Sequence, residues 1–277
     1  MIAECRRKVL LFCQPVDMGD GEPEPHQLRD VAAVDDVYER VRQPGDRCVR
    51  MINVNHEDLA MKNLRWLGRG DLVVSACRVR KSHLNEKESR KQLPYSGAEF
   101  EAVLAAAHDR WIASCSRKRI QLTEAGAKVL ADKHEHLADL RFSQWRSADY
   151  VNRGRRRTAG YIVFSKELWP GGPDYLNVFG GSGPITHGLA HAIRNQCSHL
   201  GFTSSELIVV EVWTRSTELP IVPRRTQGRL DYADNWVMAW HRRGTVSYIH
   251  SEVFIPRFPE PGSPVNGGWH DEACRMV

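Results

Sequence analysis

Basic side chains are the first chemistry-bearing residues to stand out, because they come in groups. Arg117-Lys118-Arg119 forms one basic turn, Arg153, Arg155, Arg156 and Arg157 crowd a second stretch, Arg224 and Arg225 adjoin near Arg229, and Arg242-Arg243 lies within His241-Arg242-Arg243-Gly244. Guanidinium groups grip phosphate in a two-pronged fork, so such groups are the residues expected to hold a polyanion. A net charge of +5 and a pI near 8.9 point the same way, and the expected partner is nucleic acid, RNA or DNA. His241 beside Arg242 adds chemistry to binding. An imidazole can move the proton of a 2′-hydroxyl that attacks the adjacent phosphate, while a guanidinium steadies the developing charge. These two are the candidate catalytic pair of an alternative reading, a metal-independent endoribonuclease acting on structured RNA.

Other groups carry weaker signals. His187 and His191 are spaced i, i+4 and share a helical face, but no Glu adjoins His187 and a zinc site needs a third ligand. Packing or capping is their expected role. His134 and His136, beside Asp132 and Glu135, are two apart and so fall on different faces of a helix, which predicts surface positions. Seven scattered cysteines without a Cys-x-x-Cys pair predict reduced thiols and no structural zinc. No metal and no cofactor are expected. Gly180-Gly181-Ser182-Gly183 lies between a strand and a helix, where free N–H groups can take a phosphate, so Gly181, Ser182 and Gly183 are candidate phosphate ligands. The surrounding Phe179 to Ile185 resembles the cofactor turn of short-chain dehydrogenases, with Glu211 at the distance of a ribose contact. Thr186 stands where that pattern has its third glycine, and no Tyr-x-x-x-Lys follows. Nucleotide or dinucleotide binding is therefore a third reading.

The elements that must position these residues are legible from periodicity. Lys8 to Phe12 reads as a strand, Leu28, Val31, Val34, Tyr38 and Val41 mark an amphipathic helix stopped by Pro44-Gly45, and Cys48 to Val54 reads as another strand. From Asn85 to Leu130 the order is helix, tight turn, helix, strand, basic turn, strand, helix: Pro94 ends a helix from Glu86 to Leu93, Ser96 can cap the next with Glu99 three residues on, and Phe100, Val103, Leu104, Ala107, Trp111 and Ile112 form one apolar face. Trp111 to Ser114 and Arg119 to Gly126 resemble the wing and last helix of winged-helix repressors, over about residues 71–135. That resemblance implies a helix for the major groove and a wing on phosphate, although Glu99 and Glu101 depart from the pattern. Further on, Gly160 to Ser165, Tyr175 to Phe179, Leu207 to Trp213 and the hairpin of Trp236 to Trp240 with Thr245 to Ile255 read as strands, and Pro184 to Leu200 as the main helix. Tryptophans beside the arginine tip suit base stacking or core packing.

The fold class expected is α+β, in four parts: an N-terminal β-α-β segment at 1–68, a winged-helix-like unit at 69–145, an Arg-rich hinge at 146–159 and a C-terminal mixed sheet with one main helix at 160–277. At the level of architecture, short β-α-β units with basic C-terminal strands resemble the ferredoxin-like enzymes that process CRISPR repeat RNA. No apolar run approaches the roughly 20 residues of a membrane helix, and Val9 to Phe12 is too short for a signal-peptide core, so no membrane partner and a cytoplasmic location are expected.

Overall fold

The computed structural model describes residues 6–12, 25–51, 62–76, 98–115, 119–132, 134–141, 156–181, 183–196, 200–214 and 233–254. Its centre is an eight-stranded mixed sheet, and the chain is an α+β protein with few helices. β1 (Lys8–Phe12), β2 (Arg47–Met51), β3 (Leu72–Ser75) and β8 (Asp174–Gly180) form a parallel half in the order β2-β1-β3-β8. β7 (Arg156–Ser165), β9 (Glu206–Thr214), β10 (Ala233–Arg242) and β11 (Thr245–Phe254) continue it antiparallel, completing β8-β7-β9-β10-β11.

The β1, β2, β8, β9, β10 and β11 strands fall where sequence periodicity expects them. β3 does not, because Leu72, Val73, Val74 and Ser75 are all buried and a strand covered on both faces shows no alternation. That strand decides the architecture. It pairs β1 on one side and β8 on the other, so the segments expected at 1–68 and 160–277 are neighbours in one sheet.

Each face of the sheet has its own cover. α1 (Pro25–Val41) and α4 (Gly183–Gln196) lie on one face, where Val34 and Val37 of α1 and Leu189 and Ile193 of α4 pack on Val9, Leu11, Val74, Ile162, Val178 and Val210. Burying each such aliphatic side chain contributes about 1.5–3 kcal/mol. On the other face sits a small antiparallel sheet, β4 (Ile112–Cys115), β5 (Arg119–Leu122) and β6 (Asp139–Arg141), whose Ile112, Cys115, Ile120 and Leu122 pack on Tyr161, Val163, Phe179 and Val209. α2 (Ala98–Ala106) lies beside it, with Leu104 against Leu10, Phe12 and Tyr175. The helix–strand–strand–helix order expected after Ser96 is thus present, while Glu86 to Leu93 lies outside the described residues.

The helix expected from Thr123 through His136 is one turn long. Thr123 Oγ1 accepts from the Gly126 N–H to cap α3 (Glu124–Ala127), and the chain then turns and forms a 3₁₀ helix only at Glu135–Ala138. His134 and His136 therefore sit on an irregular connection, and helical facing does not govern where they point.

Candidate active site at Glu211

β9 reads Leu207-Ile208-Val209-Val210-Glu211-Val212, an apolar strand with one carboxylate in its middle. Val210 and Val212 face the α1/α4 side, so Glu211 points to the opposite face, and it is fully buried. Its register partners are Ala159 on β7 and Ala239 on β10. Two methyl groups flank the carboxylate, and the space above it is filled by imidazoles.

His134 Nδ1 lies 3.1 Å from Glu211 Oε2, and His136 Nε2 lies 3.3 Å from Oε1. The His241 ring, also fully buried, sits 4.4 Å centroid to centroid from that of His134. One backbone hydrogen bond holds this assembly, and a weaker backbone-to-ring contact adds to it. The Gly244 N–H donates to the Val129 carbonyl at 3.1 Å, and the Ala131 N–H reaches His241 Nδ1 at 3.4 Å. Arg243 and Gly244 both have positive φ, 51° and 75°, which a two-residue turn of the mirror-image type requires and glycine supplies without strain. The hairpin tip is thereby docked against the segment that carries His134 and His136.

The histidines range from fully buried at His241, through a His134 side chain 19% exposed, to His136 at 41%. His136 is thus the member of the cluster nearest solvent, and Glu211 and His241 are sealed beneath it. A buried acid held by two imidazoles fixes ring orientation and tautomer, the arrangement by which a carboxylate prepares a histidine for proton transfer or for a ligand bond.

His241 and Arg242, expected to act as a pair, do not face one another, because adjacent strand residues point to opposite sides. Arg242 turns to Glu206, its Nε and Nη2 donating to Oε1 and Oε2 at 2.8 Å each, with a further 2.9 Å bond from Nη2 to the Gly201 carbonyl. Arg243 Nε is 3.0 Å from Glu206 Oε1. Burial pushes the Glu206 carboxyl up, and the two guanidiniums outweigh it to hold it below the ordinary carboxylate value. Both hairpin arginines are thus engaged in the fold. Arg119 is likewise paired with Asp139 across β5 and β6, its Nε donating at 2.6 Å. Arg156 and Arg157 belong to β7 by backbone, while Arg117, Lys118, Arg153, Arg155, Arg224 and Arg225 lie outside the described residues.

The glycine turn is also internally committed. The Gly181 N–H donates to the Ala159 carbonyl at 3.0 Å and the Gly180 N–H to Thr186 Oγ1 at 2.9 Å. Gly183 begins α4, and Ser182 lies outside the described residues. A Cβ on Gly180 would meet Ile185 Cγ2 at 2.5 Å, so this glycine serves the close approach of strand and helix. α4 lies on the face opposite Glu211, which rules out the expected ribose contact. Trp240 is core, packed on the α4 side, and Trp236 has its side chain outside the described residues.

His187 and His191 do share a face, and it meets α1. Asp36 Oδ2 lies 3.5 Å from His191 Nδ1 and 4.0 Å from His187 Nε2, while Oδ1 accepts from Arg194 Nη1 at 2.7 Å. This is an interhelical clasp. Near α2, the His108 Nδ1–H bonds the Leu104 carbonyl at 2.9 Å, which leaves Nε2 to accept from Asn177 Nδ2 at 3.0 Å and ties the helix end to β8.

A scan of known protein families and searches of curated proteins and solved structures find no match to this chain. Among the described residues no helix is long and apolar enough to cross a membrane. One sequence signal could have marked this cluster, namely an acid inside an apolar strand, since a buried charge demands a partner. Nothing local marked His134 and His136 as that partner.

Proposed function

We propose that the protein is a nucleic-acid-processing enzyme whose reactive centre is Glu211 with His134, His136 and His241. The observation that carries this reading is the fully buried Glu211 carboxylate with a histidine on each oxygen and a third imidazole beside them. Such a group has no packing rationale on an apolar sheet face, and its desolvation costs several kcal/mol unless compensated. Supporting a phosphate-bearing substrate, the Arg-rich stretch ends in β7, where Arg157 pairs with Trp213 two residues from the Ala159–Glu211 pair. The net charge of +5 favours the same partner.

Purified protein is incubated with labelled RNA and DNA, single-stranded and structured, with metal salts and with EDTA, and products are resolved on gels. Cleavage by the wild type that falls at least about a hundredfold in His134→Ala and Glu211→Gln is expected, the scale on which losing one preorganised polar group acts. No cleavage of any substrate under either condition would refute the enzymatic reading.

Binding without chemistry is a second reading, favoured by the helix–strand–strand–helix order of α2, β4, β5 and α3. Mobility shifts across a salt series test it, because phosphate contacts weaken as salt rises. Absence of a shift at low salt would remove it.

A further inference from the structure

The geometry points to a divalent transition-metal ion of the zinc class at this same centre, bound by His134, Glu211 and His241. The inference supplies the cofactor for the enzymatic reading above. One ligand-capable atom from each of the three residues lies within 4.8 Å of the others. Tetrahedral zinc with bonds of about 2.0–2.1 Å sets its ligand atoms ~3.3 Å apart. His134 Nδ1 and Glu211 Oε2 are already at 3.1 Å, so the remaining corner closes with a movement of roughly 1.5 Å or less.

The donor chemistry is selective. Two imidazole nitrogens and one carboxylate oxygen suit zinc and its neighbours, whereas Mg²⁺ and Ca²⁺ demand mainly oxygen. A dication also answers the electrostatic question posed by a carboxylate sealed in the sheet, since its charge compensates Glu211 while both ligating rings stay neutral. His136 then has a role of its own. Its Nε2, at 3.3 Å from Oε1, holds the oxygen opposite the one offered to the ion, and outer partners of this kind orient a ligating carboxylate.

Two contacts must be given up, the first being the His134 Nδ1···Glu211 Oε2 hydrogen bond, which the ion replaces by bonding to both atoms. In the second, the Ala131 N–H approaches His241 Nδ1 at 3.4 Å. Ligation through Nδ1 would use the lone pair that accepts it, and ligation through Nε2 would move the ring proton to Nδ1, so either mode breaks it. At that length it is a weak hydrogen bond, and losing it costs little. Three protein ligands leave a fourth position open, which is the arrangement of reactive rather than structural zinc sites.

Chelator-stripped full-length protein is titrated calorimetrically with ZnCl₂, CoCl₂, MgCl₂ and CaCl₂, with visible absorption of the Co²⁺ form reporting coordination geometry. One equivalent of Zn²⁺ bound below micromolar concentration, tetrahedral Co²⁺ bands, and no heat from Mg²⁺ or Ca²⁺ are expected. His134→Ala should weaken Zn²⁺ at least a hundredfold, and His136→Ala about 10- to 100-fold. Circular dichroism shows which variants fold; should His134→Ala fail, His134→Gln takes its place. Folded wild type that takes up no stoichiometric Zn²⁺, or a folded His134 variant with unchanged affinity, overturns the site. Cleavage assays in parallel separate the two proposals. Zinc bound without cleavage removes the enzyme and keeps the site, while cleavage by verified metal-free protein in EDTA removes the ion and keeps the enzyme.

Discussion

Replacing Arg242 with alanine should unfold the protein sooner without weakening any binding of nucleic acid. The guanidinium makes two 2.8 Å bonds to Glu206 and one of 2.9 Å to the Gly201 carbonyl, and it lies 5.5 Å from the Phe202 ring centroid. The Glu206 side chain is only 5% exposed. Stranding a buried carboxylate costs about 3–5 kcal/mol, but Arg243 stays within 3.0 Å of it and Gly201 is open to water, so about 2–3 kcal/mol is the better figure. For a chain of this size that lowers Tm by roughly 4–12 °C. Thermal melts of Arg242→Ala, Glu206→Gln and the double variant should show strong non-additivity, because the second change removes a charge the first left stranded. The effect has a definite pH dependence. Glu206 is held below its ordinary value in the fold, so its stabilisation is complete above the unfolded value of about 4.3 and fades as pH falls through the lower folded value. The Arg242→Ala deficit should shrink over that acidic window. An Arg242→Ala protein that melts like wild type yet binds nucleic acid more weakly, with a shallower salt slope, would refute this reasoning and return Arg242 to a phosphate-binding role.

The clasp between α1 and α4 gives a second prediction. Burial pushes the Asp36 carboxyl up, hydrogen bonds from His191 and Arg194 pull it further down, and Asp36→Asn should lower stability by about 1–3 kcal/mol at pH 7. Urea titrations should show that loss vanishing as pH falls below about 4, and an undiminished difference there would contradict the assignment. Cys48 has its thiol pushed up to about 11 by burial, so at pH 8 its alkylation, followed by mass spectrometry, should run about a hundredfold slower than that of an ordinary thiol. A rate matching glutathione would show the site to be open. Gly180→Ala should cost about 1–3 kcal/mol by overpacking against Ile185 and the Thr186 N–H, 2.5 and 2.9 Å from the added Cβ. Gly201→Ala, with nothing within 4 Å, is the neutral control, and equal melting of the two variants would sink the packing argument.

What the sequence determined by itself is local. The α1 stripe of Val31, Val34, Tyr38 and Val41, the stop at Pro44-Gly45, the α4 helix after the glycine turn and the β10–β11 hairpin around Arg243-Gly244 are all legible, because period and turn chemistry act over a few residues. Tertiary structure decided the remainder. β3 carries no alternation, since both its faces are covered, so its place between β1 and β8 could not be read, and with it went the union of the two ends of the chain in one sheet. The pairing of Arg242 and Arg243 with Glu206 was equally hidden, because charge clusters look alike whether a partner lies 37 residues away or in solution. The centre itself joins residues up to 77 positions apart from Glu211, with His134 and His136 on an irregular turn that no period describes. Glu211 was visible as an acid among valines, but which groups answer its charge depends on where the hairpin tip docks on Val129. Local rules fix elements; only the closing of the sheet under its small cover brings three imidazoles to one carboxylate.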